Sequence, residues 1–160
     1  MRIFASLILL AAPLAAQTPA AHPDLSGTWV LDASKNVVDG QLPAPTAATY
    51  VVGQHGDSIT VDMKYTDVTG DMQLKKLWAT DGYNWINFMT YQGTEMKLSS
   101  VAKWNGPVLA IQTASDFAGT PVTQNDTWTV DAEKKTLTVV TTTNVNGTYF
   151  AQVTLVFNKK

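Results

Sequence analysis

The sequence contains no cysteine and only one arginine, and these two scarcities exclude several classes of protein. Without cysteine the chain has no disulfide framework, thiolate zinc site, iron–sulfur cluster or cysteine nucleophile. The one arginine is Arg2, so the rest of the chain lacks the bidentate guanidinium that suits carboxylate and phosphate groups. With 11 basic against 13 acidic residues, the chain also lacks the positive charge that nucleic-acid binding requires.

Catalytic and metal-binding motifs are absent as well. The two histidines, His22 and His55, fall in the N-terminal segment and in a turn, and they do not have the spacing of metal ligands. No nucleophile elbow, glycine-rich phosphate loop or His-Glu-x-x-His motif occurs. Acidic pairs such as Asp67 with Asp71 lie on predicted turns, where carboxylates are usually solvated or cap backbone amides. We therefore predict no metal, no cofactor and no enzymatic activity.

The one long apolar run of the chain lies at its N-terminus. After Arg2, residues 3–14 are apolar apart from Ser6, and small residues are frequent over 15–20. This arrangement is typical of a secretory signal peptide and is too short to span a bilayer. We predict a signal peptide over residues 1–16, cleaved after Ala16 or as late as residues 20–21, with an uncleaved anchor as the alternative. The mature protein is then periplasmic or secreted and has no integral membrane segment.

The remaining sequence is rich in alternating patterns that are typical of β-strands. From residue 27 onward, β-branched and aromatic residues recur with a period of two, and turn residues recur about every 8 to 12 positions. No segment has sustained helical periodicity. The alternation predicts ten strands, over residues 29–31, 50–54, 58–65, 71–78, 83–90, 96–104, 108–115, 122–130, 136–143 and 149–157. We therefore predict a single all-β domain over residues 24–160.

The predicted strands are joined by short connections, and this determines the expected topology. Short connections favour antiparallel neighbours in an up-and-down meander, because parallel strands require long crossovers. An open sheet of ten strands exposes two edges, which closure into a barrel removes. We predict an antiparallel meander closed into a barrel of about 8–10 strands, with a two-sheet sandwich as the alternative. Residues 34–48 carry Gly40, Pro43 and Pro45 and are predicted to form a loop across the barrel mouth.

The start of the first predicted strand resembles a known family. Residues 24–29, Asp-Leu-Ser-Gly-Thr-Trp, resemble the Gly-X-Trp signature that opens the first strand of lipocalins and related calycin barrels. The same residues are similar to a group of small exported bacterial proteins that begin Leu-Ser-Gly-Thr-Trp. The resemblance implies a lipocalin-like barrel in which Trp29 fills the closed end rather than touching a ligand. Lipocalins usually place an arginine over this ring, whereas this chain has Lys159 and Lys160 near its last strand, and a lysine can cover the ring through a cation–π contact.

Several polar side chains fall on the predicted inner faces of aromatic-rich strands. Lys76 shares a face with Leu74 and Trp78, and Asp126 shares a face with Trp128. Natural ligand cavities combine an apolar lining with a few converging polar groups. The candidate ligand-binding residues are Lys76, Trp78, Trp85, Asn87, Trp104, Gln124, Asp126 and Trp128. Two alternatives remain open: Lys76 and Asp126 form a structural ion pair, or a local bulge turns them towards solvent.

These features favour an exported protein that binds a small apolar or amphipathic molecule in a barrel cavity. The small residues Ser100, Ala102 and Ala151 are predicted to point inward and to leave room inside the barrel. The alternative is a ligand-free module for envelope stability or protein interaction, with a filled core. An outer-membrane barrel is disfavoured because the predicted outer faces are rich in Thr, Asn and Lys. We predict no nucleic-acid partner, and the oligomeric state is left open.

The predicted signal peptide leads to a direct test. N-terminal sequencing of protein recovered from the exported fraction is expected to begin between Gln17 and Ala21, because the small residues there suit signal peptidase. Recovery of soluble protein that still begins at Met1 would contradict this prediction.

Overall fold

A computed structural model describes residues 22–91, 93–133 and 135–160, and nearly all of its regular structure is β-strand. The predicted signal peptide over residues 1–16, with its alternative ends at 20–21, lies outside the described residues. The strands are β1 (Gly27–Leu31), β2 (Val37–Gly40), β3 (Ala47–His55), β4 (Ser58–Asp67), β5 (Gly70–Ala79), β6 (Asp81–Tyr91), β7 (Thr94–Asn105), β8 (Val108–Phe117), β9 (Thr120–Asp131), β10 (Thr136–Val145) and β11 (Thr148–Lys159). A single 3₁₀ turn, Ala33–Lys35, follows β1.

All of these strands belong to one antiparallel sheet. Their order is β5-β4-β3-β1-β11-β10-β9-β8-β7-β6, and β2 pairs with β11 beside this path. The first strand, β1, therefore joins the two halves of the meander, because it pairs with β3 on one side and with β11 on the other. The predicted all-β antiparallel meander, closed nearly completely into a barrel, is confirmed, with one strand more than the ten expected.

The additional strand lies in the segment that the sequence predicted as a loop. β2 pairs with β11 from Gly40 opposite Ala151 to Val37 opposite Thr154. A side chain on Gly40, whose φ is +102°, would collide with the backbone of Phe150 and Ala151, so only glycine allows this approach. The prediction of an irregular loop over all of residues 34–48 is therefore wrong. It missed β2 because all four residues of this strand are exposed and their sequence has no apolar alternation.

The barrel has one seam, between β5 and β6. These strands are consecutive in the chain, but they form the two ends of the hydrogen-bonded path and share no backbone ladder in the described part of the chain. The side chain of Asn87 on β6 bridges the seam. Its Oδ1 accepts a hydrogen bond from the Leu77 N–H at 2.8 Å, and its Nδ2 donates one to the Leu77 carbonyl at 3.0 Å. A side-chain amide thus replaces one pair of ladder hydrogen bonds.

One end of the barrel, around β1, is tightly packed. Trp29 is 1% exposed, and its Nε1 donates a hydrogen bond to the Leu25 carbonyl at 2.8 Å. The Nζ of Lys159 lies 5.2 Å from the centroid of the Trp29 ring. The structure therefore places Trp29 at the closed end, as the family resemblance implied, with a lysine over its ring. Other fully buried side chains at this end are Ile59, Leu109, Leu137 and Phe157.

The burial of Trp29 gives a stability prediction. Trp29→Ala is expected to lower the free energy of unfolding by ~3–5 kcal/mol, because it removes a large ring and leaves a cavity. Tyr83→Ala is the matched control: this aromatic side chain is 73% exposed, and its loss is expected to change stability by less than about 0.5 kcal/mol. Urea unfolding measures both. Equal midpoints for the parent and Trp29→Ala would show that the ring does not hold this end of the barrel together.

Candidate functional site

The barrel encloses a cavity of about 300 Å³ between its packed end and its mouth. Its walls are largely apolar and come from β4, β5, β6, β7, β10 and β11: Met63, Leu74, Met89, Leu98, Val139, Val153 and Leu155. Leu42, Pro43 and Pro45, from the segment after β2, lie at the mouth, where the sequence predicted a covering loop. A volume of this size with a mainly apolar wall is typical of a small-molecule site.

Aromatic side chains form the floor of the cavity. The rings of Tyr50 and Trp128 lie 5.8 Å apart between centroids, and both line the cavity. Trp78 packs edge-on against Trp128 at 5.9 Å, and Phe157 lies 4.4 Å from Tyr50. Burial raises the pKa of Tyr50, so its hydroxyl stays protonated. The floor is therefore an uncharged aromatic surface that separates the cavity from the packed end.

Small side chains occupy inward positions of β7 and β11, although they are not part of the cavity lining. Ser100, Ala102 and Ala151 are all fully buried, which agrees with the inward direction that the strand alternation predicted. Ser100 on β7 and Thr113 on β8 join their hydroxyls at 2.9 Å, so these two buried polar groups satisfy each other. Their pairing leaves the wall between them free of unmatched hydrogen-bonding groups.

Two side chains of opposite charge, Lys76 and Asp126, reach the cavity from different walls. Lys76 lies on β5 and its Nζ is 5.6 Å from the centroid of the Trp78 ring. Asp126 lies on β9, and its Oδ1 accepts a hydrogen bond from the Thr141 hydroxyl at 2.5 Å. Both side chains line the cavity and are half-buried. The predicted bulge that would turn them towards solvent does not occur, because both strands are in regular register at these positions.

The cavity environment shifts the pKa values of Lys76 and Asp126 in the directions that favour their uncharged forms. Burial lowers the pKa of Lys76, and the Asp126 carboxylate opposes this effect. Burial also raises the pKa of Asp126, and Lys76 and the hydrogen bond from Thr141 oppose it. In both cases loss of hydration is the largest cause. Each charge therefore stabilises the ionised form of the other group, but by less than burial destabilises that form.

Four of the eight candidate residues come together at the cavity. Lys76, Gln124, Asp126 and Trp128 line it directly. Trp78 lies beneath the floor, with 0% of its surface exposed, and contacts the cavity through Trp128 and Lys76. They reach the interior from two different walls, because they lie at inward positions of β5 and β9.

The other three candidates, Trp85, Asn87 and Trp104, do not line the cavity. Trp104 is half-buried near the packed end, where His22 stacks on it at 4.7 Å between ring centroids. Asn87 is buried, but its amide is used by Leu77 across the seam. Trp85 is half-buried and lies opposite Ser100, just after an irregularity in the register of β6 between Asp81 and Asn84. The alternation of side chains along a strand predicts which of them point inward. It does not predict how far along the barrel axis each of them lies.

The sequence alone did not identify three polar residues of the cavity lining, Tyr65, Asp67 and Thr141, or most of the apolar wall. Thr141 is the partner of Asp126 in the register of β9 with β10. That register follows from the turn that joins the two strands, so counting back from residues 131–136 would have placed Thr141 beside Asp126. The same count places Val139 opposite Trp128, and both line the cavity.

The described residues contain neither a metal-binding cluster nor a membrane-spanning helix. Within 22–91, 93–133 and 135–160, no three His, Asp or Glu side chains gather in a group that could hold a metal ion. In the same ranges, no helix is long and apolar enough to cross a membrane.

The architecture is similar to that of two solved structures. Zebrafish ileal bile acid-binding protein, in its crystal structure with cholic acid, superposes with a TM-score of 0.52 at 12% identity, over 85% of this chain and 98% of that one. A secretory abundant heat soluble (SAHS) protein of Ramazzottius varieornatus gives a TM-score of 0.52 at 10% identity, over 85% of this chain and 95% of that one. No family model and no curated protein matches the chain. The fold is therefore lipocalin-like, of the calycin type.

The raised pKa of Asp126 gives a pH-dependent prediction. The folded parent holds the Asp126 proton more tightly than the unfolded chain does, so ionisation of this carboxyl destabilises the fold as the pH rises through about 4 and above. Asp126→Asn does not titrate and escapes this loss. The free energy of unfolding of the variant, minus that of the parent, is therefore expected to increase with pH over the acidic range.

Urea unfolding of both proteins at a series of pH values measures this difference. Asp62→Asn, which removes a carboxylate from the outer wall of β4, controls for the loss of one negative charge. A difference between Asp126→Asn and the parent that stays constant or decreases with pH would contradict the prediction.

Proposed function

We propose that this protein is exported and holds a small apolar or amphipathic molecule in its barrel cavity, without catalysing a reaction. The observation that carries the proposal is the cavity of about 300 Å³ in which Lys76 and Asp126 face an otherwise largely apolar wall. The export part rests on residues 1–16, whose composition is that of a signal peptide.

Lys76 and Asp126 are energetically costly groups to place in the interior of a barrel. Burying charged groups costs free energy, and apolar side chains of similar volume at these positions are often as stable or more stable. A barrel evolved for stability alone has no need of Lys76 and Asp126 in its interior. A bound molecule with polar atoms would supply hydrogen-bond partners for both, while the aromatic floor would bury its apolar part.

One of the two comparison proteins supports a binding role. The zebrafish protein is named for binding bile acids, and its crystal structure contains cholic acid. Cholic acid is amphipathic, which is the chemical character that an aromatic floor and a few polar wall residues would suit. We carry over the class of ligand only, since the two sequences are 12% identical.

A second candidate function, a protein-interaction module, is favoured by one observation. Tyr83, Ile86 and Phe88 on β6 are exposed, and Leu77 on the other side of the seam is 40% exposed. Large apolar side chains grouped on one outer face are typical of interaction sites. This role does not use the cavity, so a variant with a filled cavity separates the two functions.

Filling the cavity is expected to abolish tight binding. N-phenylnaphthylamine, an uncharged apolar fluorophore, is expected to bind the parent at one saturable site with enhanced fluorescence. Val153→Phe places a ring in the cavity and is expected to weaken binding at least about tenfold, which is ~1.4 kcal/mol. Val51→Phe is the matched control, because Val51 is 51% exposed on the outer wall, and its affinity should equal that of the parent.

Thermal melting of both variants ensures that only folded proteins are compared. Equal affinity of the parent and both variants would place the fluorophore on the outer surface and favour the interaction module. A parent that does not bind the fluorophore and carries no molecule in native mass spectrometry after purification from its own host would overturn the binding proposal.

A further inference from the structure

The charges of Lys76 and Asp126 are not neutralised by each other at contact distance. The ion pairs among the described residues join Lys35 to Asp32 and Lys75 to Asp62, and neither involves the cavity. Lys76 and Asp126 come from β5 and β9, with β6, β7 and β8 between them on the shorter path around the barrel. The predicted structural ion pair is therefore not formed, and the space between the two groups belongs to the cavity.

The neighbours of each charged group leave part of its hydrogen-bonding capacity for a ligand. Thr141 donates to one oxygen of the Asp126 carboxylate, which has two oxygens and room for further donors. The Lys76 ammonium has three donors, and the contact found for it in the described part of the chain is with the face of Trp78. Gln124 adds an amide to the same wall as Asp126.

This arrangement discriminates among ligands by the charge of their polar group. A lone carboxylate would pair with Lys76 but would bring a second negative charge towards Asp126. A lone ammonium would pair with Asp126 and would be repelled by Lys76, and an uncharged group would neutralise neither. A group that carries both charges can place its carboxylate towards Lys76 and its ammonium towards Asp126.

We propose that the cavity selects lipophilic amino acids, in which an ammonium and a carboxylate stand together at one end of an apolar chain. This inference rests on the proposed binding function and adds the chemical class of the ligand. The head group lies between Lys76 and Asp126, and the apolar chain packs against Tyr50, Trp128 and the aliphatic wall.

Four ligands with the same ten-carbon chain test the proposal by displacement of N-phenylnaphthylamine at neutral pH. They are α-aminodecanoic acid, decanoic acid, decylamine and decan-1-ol. The parent is expected to bind α-aminodecanoic acid at least about tenfold more tightly than each of the other three. This ranking needs no variant, so it does not depend on the folding of an altered protein.

Variants of Lys76 and Asp126 then test whether these two residues cause the ranking of ligand affinities. Lys76→Met leaves Asp126 alone and is expected to make decylamine the tightest ligand. Asp126→Asn leaves Lys76 alone and is expected to make decanoic acid the tightest. The double variant is expected to prefer decan-1-ol. Among the described residues, Asp67 is then the one charged side chain left in the cavity lining, and its Oδ1 already accepts hydrogen bonds from the N–H and the hydroxyl of Thr69. Lys75→Met and Asp62→Asn are the matched controls: these residues pair at 3.6 Å on the outer wall, from β5 and β4, and their loss should leave the parental ranking unchanged.

The outcomes separate this inference from the function on which it rests. If the parent binds the fluorophore but binds all four ligands equally, or prefers a ligand with one charge, the inference is overturned and the binding function stands. If the parent binds neither the fluorophore nor any of the four ligands, the binding function itself fails. An identical change of ranking in the outer-wall controls would also overturn the inference, because the effect would then come from the overall charge.

Discussion

The pairing of β1 with both β3 and β11 is the interaction on which the rest of the structure depends. The meander begins and ends at this point, so loss of β1 would leave two free sheet edges facing each other. The same strand carries Trp29, whose ring lies beneath Lys159 and is held by the Leu25 carbonyl. Closure of the wall and closure of the barrel end are thus achieved by the same five residues of β1.

The interior divides into a part that stabilises the fold and a part that lowers its stability. From Trp29 to Trp128, large side chains fill the barrel and contribute most of the hydrophobic stabilisation. Above Trp128 the barrel is left partly empty and contains Lys76 and Asp126. Functional sites commonly have this cost, and here the packed end offsets it. The aromatic floor marks the boundary, because Trp128 belongs to both parts.

Strand alternation is sufficient to predict whether a side chain points into the barrel, but it is not sufficient to predict its position along the barrel axis. Lys76 and Asp126 were placed correctly because side chains alternate strictly along an unbroken strand. Trp104 and Asn87 were predicted on the same argument, yet Trp104 lies at the level of His22 and Asn87 is used at the seam. Level depends on register between distant strands and on how the sheet closes, and neither is encoded in a local pattern.

The seam between β5 and β6 has a mechanical consequence. Elsewhere around the barrel, neighbouring strands share runs of backbone hydrogen bonds, so any increase in circumference must lengthen many bonds at once. At the seam, the Asn87 amide supplies two hydrogen bonds to Leu77 in place of a ladder. Strain from any widening of the barrel therefore concentrates there. Among the described residues, this line is therefore where the fewest hydrogen bonds oppose a widening of the barrel.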